Sequence, residues 1–330
     1  MRAAVLEAVD GPFLLEDVEP VALAPAAVRV RMAGAAFCIT DCLVQHGALP
    51  SRLPTILGHS AIGVVEEAGP DVRRVQVGQR VVVPAMPECR ECYFCQRGRG
   101  NMCERWQAIG VTATGGAAEY VAAPVANCVV LPGSIRPVDA ALVEPLSCAV
   151  HGFDVLAPTM GDHYLIYGAG TMGLMMMELA KRAGAASVSM DDLNPARLQT
   201  ARELGCSAAV ASADELDRPR GWDNVIDCTG VVAAIEDGLP RVIKGGTFQQ
   251  FGVANEDAVA RFSPFTVYNQ EIRIIGSMAV LRSYERAAQL FAEGVLRADV
   301  MISDRKPLDD YPAALEQFRA GVGRKIQVNP

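Results

Sequence analysis

Gly168, Gly170 and Gly173 spell G-x-G-x-x-G, and their setting constrains the fold more than any other feature of the chain. The apolar run His163–Tyr167 before them reads as a strand, and the residues after them as an apolar helix to Ala183 that Gly184 stops. Bare glycines at such a turn let backbone approach a pyrophosphate, and the helix N-terminus favours its charge. Gly168, Gly170, Thr171, Met172 and Gly173 are therefore the expected cradle. Asp192 follows Gly173 at about the 20-residue interval of a carboxylate that accepts from the adenosine ribose hydroxyls. A carboxylate there repels a 2′-phosphate, so NAD is expected ahead of NADP, with Arg197 keeping NADP as the lesser alternative.

The alternation continues beyond this unit. Ser187–Asp191 reads as a second strand; Asn194 then caps a helix with Pro195 at its first position, and Gly205 closes it. Further strands at 224–228 and 247–253 imply a parallel sheet with crossover helices, a doubly wound α/β fold. Cys228 and Thr229, and later Phe251, Gly252 and Val253, fall at the carboxyl ends of these strands, where cofactors bind in open sheets. Up to about Pro145 the pattern is β-like: Val28, Val30 and Met32 alternate with Arg29 and Arg31, and Arg80 leads into Val81, Val82 and Val83. The tail mixes a strand at 272–278, helices near 283–293 and 309–320, and a strand at 325–328, and pattern alone assigns it to neither half. At 330 residues, two domains are expected.

Cys89, Cys92, Cys95 and Cys103 give C-x2-C-x2-C-x7-C in a segment poor in core-forming residues. Four thiolates fill a tetrahedral zinc shell with no open position, as a structural site requires. An iron–sulfur cluster would also accept four cysteines, but the neighbouring motifs favour zinc. The net charge of −8 speaks against a nucleic-acid surface and for small-molecule partners. Glu7, Asp10, Glu16 and Asp17 interrupt any leader-like apolar core, and no apolar run has the length of a membrane span, so a cytoplasmic protein is expected.

The order of Ala36-Phe37-Cys38-Ile39-Thr40-Asp41, Leu57-Gly58-His59, the four-cysteine lobe, Val143-Glu144-Pro145-Leu146 and the glycine motif resembles the zinc-containing medium-chain dehydrogenase/reductase family over nearly the whole chain. The Glu-Pro-Leu step is similar to its polyol and threonine dehydrogenase branch. The resemblance implies a mostly β, GroES-like catalytic domain made of residues 1–146 and 280–330, with its zinc lobe at 84–104. It also implies a Rossmann NAD-binding domain at 147–279, an active-site cleft between the domains, and a homodimer or homotetramer paired through the strand at 272–278. It assigns a catalytic zinc to Cys38, His59 and Glu144, and a proton-passing role to Thr40, making two zincs per chain. Three protein ligands leave an open position for an alcohol or carbonyl oxygen.

Three positions depart from that pattern. Ser60 replaces the glutamate that usually follows the histidine, Ile39 replaces a common glycine, and Leu43 replaces a proton-carrying histidine. His46 could extend the relay through water or be a plain surface residue; Cys42 and Cys148 are alternative soft ligands ranked below Glu144. Asp41 is either an acceptor that orients His59 or a helix cap. The expected reaction is NAD-linked interconversion of a secondary alcohol, polyol or cyclitol-like compound and its ketone. Reduction of an activated alkene or specialised carbonyl, or a non-catalytic NAD-binding relative, are the alternatives that metal content and turnover separate.

Overall fold

The computed structural model describes all 330 residues, which divide into two compact units: Met1–Ser147 with Leu281–Pro330, and Cys148–Val280.

The first unit is built on a seven-stranded sheet whose long central strand, Ala27–Ala36, pairs antiparallel with Ala61–Ala68, Tyr120–Pro124 and Lys325–Asn329. Val28, Val30 and Met32 are buried while Arg31 is exposed, so the period-two pattern sends one face into the core. Each such apolar side chain gains roughly 1.5–3 kcal/mol from burial. The tail joins this unit: Gln327 and Val328 register with Ala36 and Ala35. Tyr311, Ala314 and Leu315 of the helix Tyr311–Arg319 share a core with Leu6, Phe37 and Val44. Pattern could not assign the tail because its partners lie some 290 residues earlier in the chain, as in the bond from Lys325 to Phe37, 288 residues apart.

The second unit is one six-stranded parallel sheet in the spatial order Ala208–Val210, Ser187–Asp191, His163–Tyr167, Trp222–Asp227, Val242–Gln250, Arg273–Gly276. Numbered along the chain this is 3-2-1-4-5-6, the doubly wound order with its switch point beside the first strand. Tyr164, Leu165, Ile166 and Tyr167 are all buried, as expected of a parallel strand covered on both faces. Asn194 caps the helix Pro195–Glu203 by accepting from Ala196 and Arg197 N–H.

The sequence pattern missed or displaced some elements. Ala208–Val210 is short and only half-buried, without an apolar run to mark it. The strand expected at 247–253 occupies Val242–Gln250: its start carries exposed Lys244 and Gly245. Beyond its end, the N–H groups of Phe251 and Gly252 both turn to the Asp227 carbonyl. The strand expected at 272–278 is Arg273–Gly276, at the sheet's edge.

Candidate metal and dinucleotide sites

The C-I-T-D step is a helix start. Cys38 is the N-cap of Ile39–Gln45, and Asp41, the third helical residue, accepts from Cys38 N–H at 2.8 Å in a capping box. The cap therefore fixes where the thiol lies. Thr40 is half-buried with Oγ1 3.6 Å from Cys38 Sγ. His59 follows Gly58, whose φ of +93° suits glycine, and a Cβ there would lie 2.8 Å from Ala117 N. Glu144 enters from the first turn of the helix Val143–Leu156. His59 and Glu144 are buried, and Cys38 is half-buried.

These three groups act on one another electrostatically. Burial raises the Cys38 thiol, but the neighbouring His59 imidazole, with the charge of Lys325, outweighs it and holds the thiol below its ordinary value. Burial pulls the His59 imidazolium down, and Cys38, Asp41 and Glu144 more than reverse this, pushing it up to about 9. A thiol inclined to ionise, an imidazole and a carboxylate on three separate elements suit a zinc ion as a donor set. His59 Nδ1 is buried without a hydrogen-bond partner, 3.8 Å from Asp41 Oδ1. That distance is too long for a hydrogen bond, so Asp41 serves as the cap and as a charge facing His59.

The departures now have surroundings. Ser60 is fully buried and its Oγ donates to Glu144 Oε2 at 2.8 Å. Cys42 packs in the apolar core beside Val44, and burial raises its thiol, so its environment is that of a packing residue. Cys148 is half-buried and belongs to the other unit. Ile39 is about half exposed and Leu43 partly buried. His46, at the helix's far end, is exposed and pairs with Asp10 at 2.7 Å. Lys325 went unnoticed in the sequence: it is 5% exposed, and its Nζ donates to the Phe37 carbonyl, one residue before Cys38. A single lysine at the start of a strand carries no local signal of such a position.

In the cysteine lobe, Cys92 caps the helix Tyr93–Gln96, which holds Cys95, and Cys103 follows the 3-10 turn Gly100–Met102. The four sulfurs lie within 4.8 Å of one another, with Cys89–Cys95 at 3.8 Å and Cys92–Cys103 at 4.0 Å. Zinc–sulfur bonds of about 2.3 Å in a tetrahedron set sulfurs about 3.8 Å apart, so the quartet fits the ion. All four thiols are free. Backbone N–H groups of Cys95 and Glu104 bring Cys92 down to about 6, while burial and the neighbouring sulfurs push Cys95 up to about 12. Thiolates this close repel one another, and a cation between them offsets that repulsion.

The glycine turn is as compact as the motif requires. A Cβ on Gly173 would overlap the Gly168 carbonyl oxygen, whereas one on Gly170 would meet only Arg197 Nη1, at 3.9 Å. Gly173 is thus a packing glycine, and Gly170 leaves room for a ligand. Thr171 and Met172 are half-buried in the first turn of the helix Thr171–Arg182. Asp192 is buried; it accepts from Ala169 N–H and from Asn194 N–H, each at 2.7 Å, and Arg197 Nη1 lies 3.8 Å away. At the neighbouring strand ends stand half-buried Cys228, exposed Thr229, half-buried Phe251 and Gly252, and exposed Val253. Asp227, which sequence reasoning passed over, organises them. Fully buried, it accepts from Thr229 N–H and Oγ1, from Gly230 N–H and from Gln250 Nε2.

Residues 24–133 match the model of the alcohol dehydrogenase GroES-like domain, and 171–293 that of zinc-binding dehydrogenase. The chain is 34% identical to D-arabinitol dehydrogenase 1 of Uromyces fabae, over 92% of this chain and 89% of that one. It is 33% identical to D-altritol 5-dehydrogenase of Agrobacterium fabrum, over 91% of each. A structure from Sinorhizobium meliloti 1021, described as a zinc-binding dehydrogenase bound to NADP, is 33% identical and superposes with a TM-score of 0.95 over 100% of this chain and 99% of that one. No helix is long and apolar enough to cross a membrane. The chain belongs to the zinc-containing medium-chain dehydrogenase/reductase family, with its GroES-like and Rossmann folds, and is an NAD(P)-linked oxidoreductase of the alcohol and polyol dehydrogenase kind.

Proposed function

We propose that the protein interconverts a secondary hydroxyl of a polyol and the corresponding ketone by hydride transfer with NAD, using one structural and one catalytic zinc per chain. The observation that carries this reading is the set of half-buried Cys38 and buried His59 and Glu144, in a chain whose second unit carries the glycine turn and Asp192. Held by these three side chains, a zinc ion supplies Lewis acidity toward the substrate oxygen. Thr40, whose hydroxyl adjoins the Cys38 sulfur, accepts and passes on the substrate proton. The names of the relatives, which act on arabinitol and altritol, support a polyol as the substrate class.

The carboxylate of Asp192 supports NAD, since a 2′-phosphate would meet its charge. Strand ends at Cys228, Thr229, Phe251, Gly252 and Val253 contribute to the cofactor site, since cofactors bind at the carboxyl ends of the strands in open sheets. The exposed edge strand Arg273–Gly276, with Phe265 and Tyr268 exposed nearby in sequence, supports pairing with a second copy of the chain, in a homodimer or homotetramer. The decisive experiment is a turnover screen with NAD and with NADP against acyclic polyols, including D-arabinitol and altritol, and simple secondary alcohols, run beside metal analysis. Zinc-dependent oxidation of a polyol with NAD is the expected result. Full turnover by protein holding one zinc per chain overturns the metal-assisted reading.

A further inference from the structure

Ser60 and Glu144 are 84 residues apart, both are buried, and the Ser60 hydroxyl has no exposure to solvent. A buried hydroxyl and a buried carboxylate each need a partner, and here they meet at 2.8 Å. Ser60 is the residue after His59, so its hydroxyl hangs from the same stretch of backbone as the imidazole. On the other side, the Glu144 carbonyl accepts from Ser147 Oγ at 2.6 Å, which ties the backbone of the first helical turn. Serine hydroxyls therefore hold Glu144 at both its main chain and its side chain. The family's glutamate at position 60 would itself be a candidate ligand; the hydroxyl here acts instead on a carboxylate that comes from a distant helix.

We infer that Ser60 is a positioning residue for Glu144, its hydroxyl holding Oε2 and so fixing the carboxylate that, with Cys38 and His59, would hold the catalytic metal. Hydrogen bonds to a ligating carboxylate fix its orientation, and their loss weakens metal binding. Thiolate and carboxylate then supply two negative charges to a dication. The inference rests on the reading of Cys38, His59 and Glu144 as the catalytic metal's ligands.

The test is a double-mutant cycle read as metal retention. Purified protein is titrated with a zinc chelator and the metal remaining per chain is counted, with the cysteine quartet as the internal reference; protein with zinc in the quartet and cobalt in the open site gives the visible spectrum of the open site. Ser60→Ala should weaken the open site about 10- to 100-fold and change its cobalt spectrum while the quartet keeps its metal. Ser60→Thr, which retains the hydroxyl, should restore retention. In a Glu144→Ala background the further loss from Ser60→Ala should fall below about twofold, because the residue it acts through is gone. Should Ser60→Ala fail to fold, Ser60→Gly, which also removes the hydroxyl and adds no metal ligand, is read in its place. Equal losses in both backgrounds, or no loss with Ser60→Ala, overturn the inference alone. If Glu144→Ala by itself leaves the open site's affinity unchanged, or the unaltered chain holds metal only in the quartet, the ligand reading falls and the inference with it.

Discussion

Asp192 accepts a hydrogen bond from the backbone N–H of Ala169 at 2.7 Å, joining the end of the second parallel strand to the glycine turn 23 residues earlier. The carboxylate expected to read the cofactor's ribose thus also braces the loop expected to hold its phosphates. Asp192→Ala removes both functions. Charge-assisted hydrogen bonds contribute about 1.5–3 kcal/mol each, so kcat/KM with NAD should fall at least tenfold and the melting temperature should drop. With the negative charge gone and Arg197 left beside the site, the NAD-to-NADP preference should narrow. Steady-state kinetics with both cofactors check this, and unchanged selectivity would remove Asp192 from its assigned role.

The two proposed zincs are separable. Cys95→Ser should cost the quartet its ion and lower thermal stability, because metal binding by a closed site is folding free energy. Glu144→Ala should weaken metal binding at the open site only and cost turnover, with a smaller drop in melting temperature than Cys95→Ser. Metal counting beside calorimetry distinguishes them; a variant that loses both ions at once would show that the sites are not independent.

Asp191, at the end of the same strand as Ser189, is half-buried, and its burial pushes the carboxyl up to about 6. A folded-state value above the unfolded one means that the native chain keeps this proton while the unfolded chain has lost it. The resulting stability is fully present below about pH 4 and is lost as pH rises through about 6. Asp191→Asn should escape that loss. Its melting temperature relative to the unaltered chain should rise by about 2–4 °C between pH 4.5 and 7.5, equivalent to about 1 kcal/mol once solvent on the exposed side is allowed for. A difference independent of pH would assign the effect to packing.

The edge strand Arg273–Gly276 leaves one row of backbone groups unpaired within the chain, and Phe265 and Tyr268 are 71% and 84% exposed. Such an edge invites strand pairing with another chain. Light scattering at micromolar concentration should give at least twice the 35.1 kDa chain mass. The double variant Phe265→Glu, Tyr268→Glu should shift the species toward monomer. A monomeric unaltered protein would refute the pairing.

Much of this protein is determined locally, and the sequence alone therefore shows it. The strand, the glycine turn, the helix and Asp192 lie within 30 residues, and G-x-G-x-x-G works only where a helix starts against a strand, so the motif carries its own fold context. The cysteine quartet spans 15 residues, and the structure brings its sulfurs to the spacing that a closed tetrahedral shell demands. Tertiary structure decided what depends on contact across long stretches of chain. Ser60 reads in sequence as the loss of a carboxylate, and only folding brings its hydroxyl to Glu144, 84 residues away. Lys325 reads as an ordinary charged residue until the tail strand pairs with Ala27–Ala36 and sets its ammonium on the Phe37 carbonyl. Asp227 looks like the polar end of a strand, yet with no exposed surface it must gather donors from the turn that follows and from Gln250 in the next strand. Local propensity and spacing act within a few turns of chain, whereas the partners of a buried polar group are chosen by the packing that removes it from water.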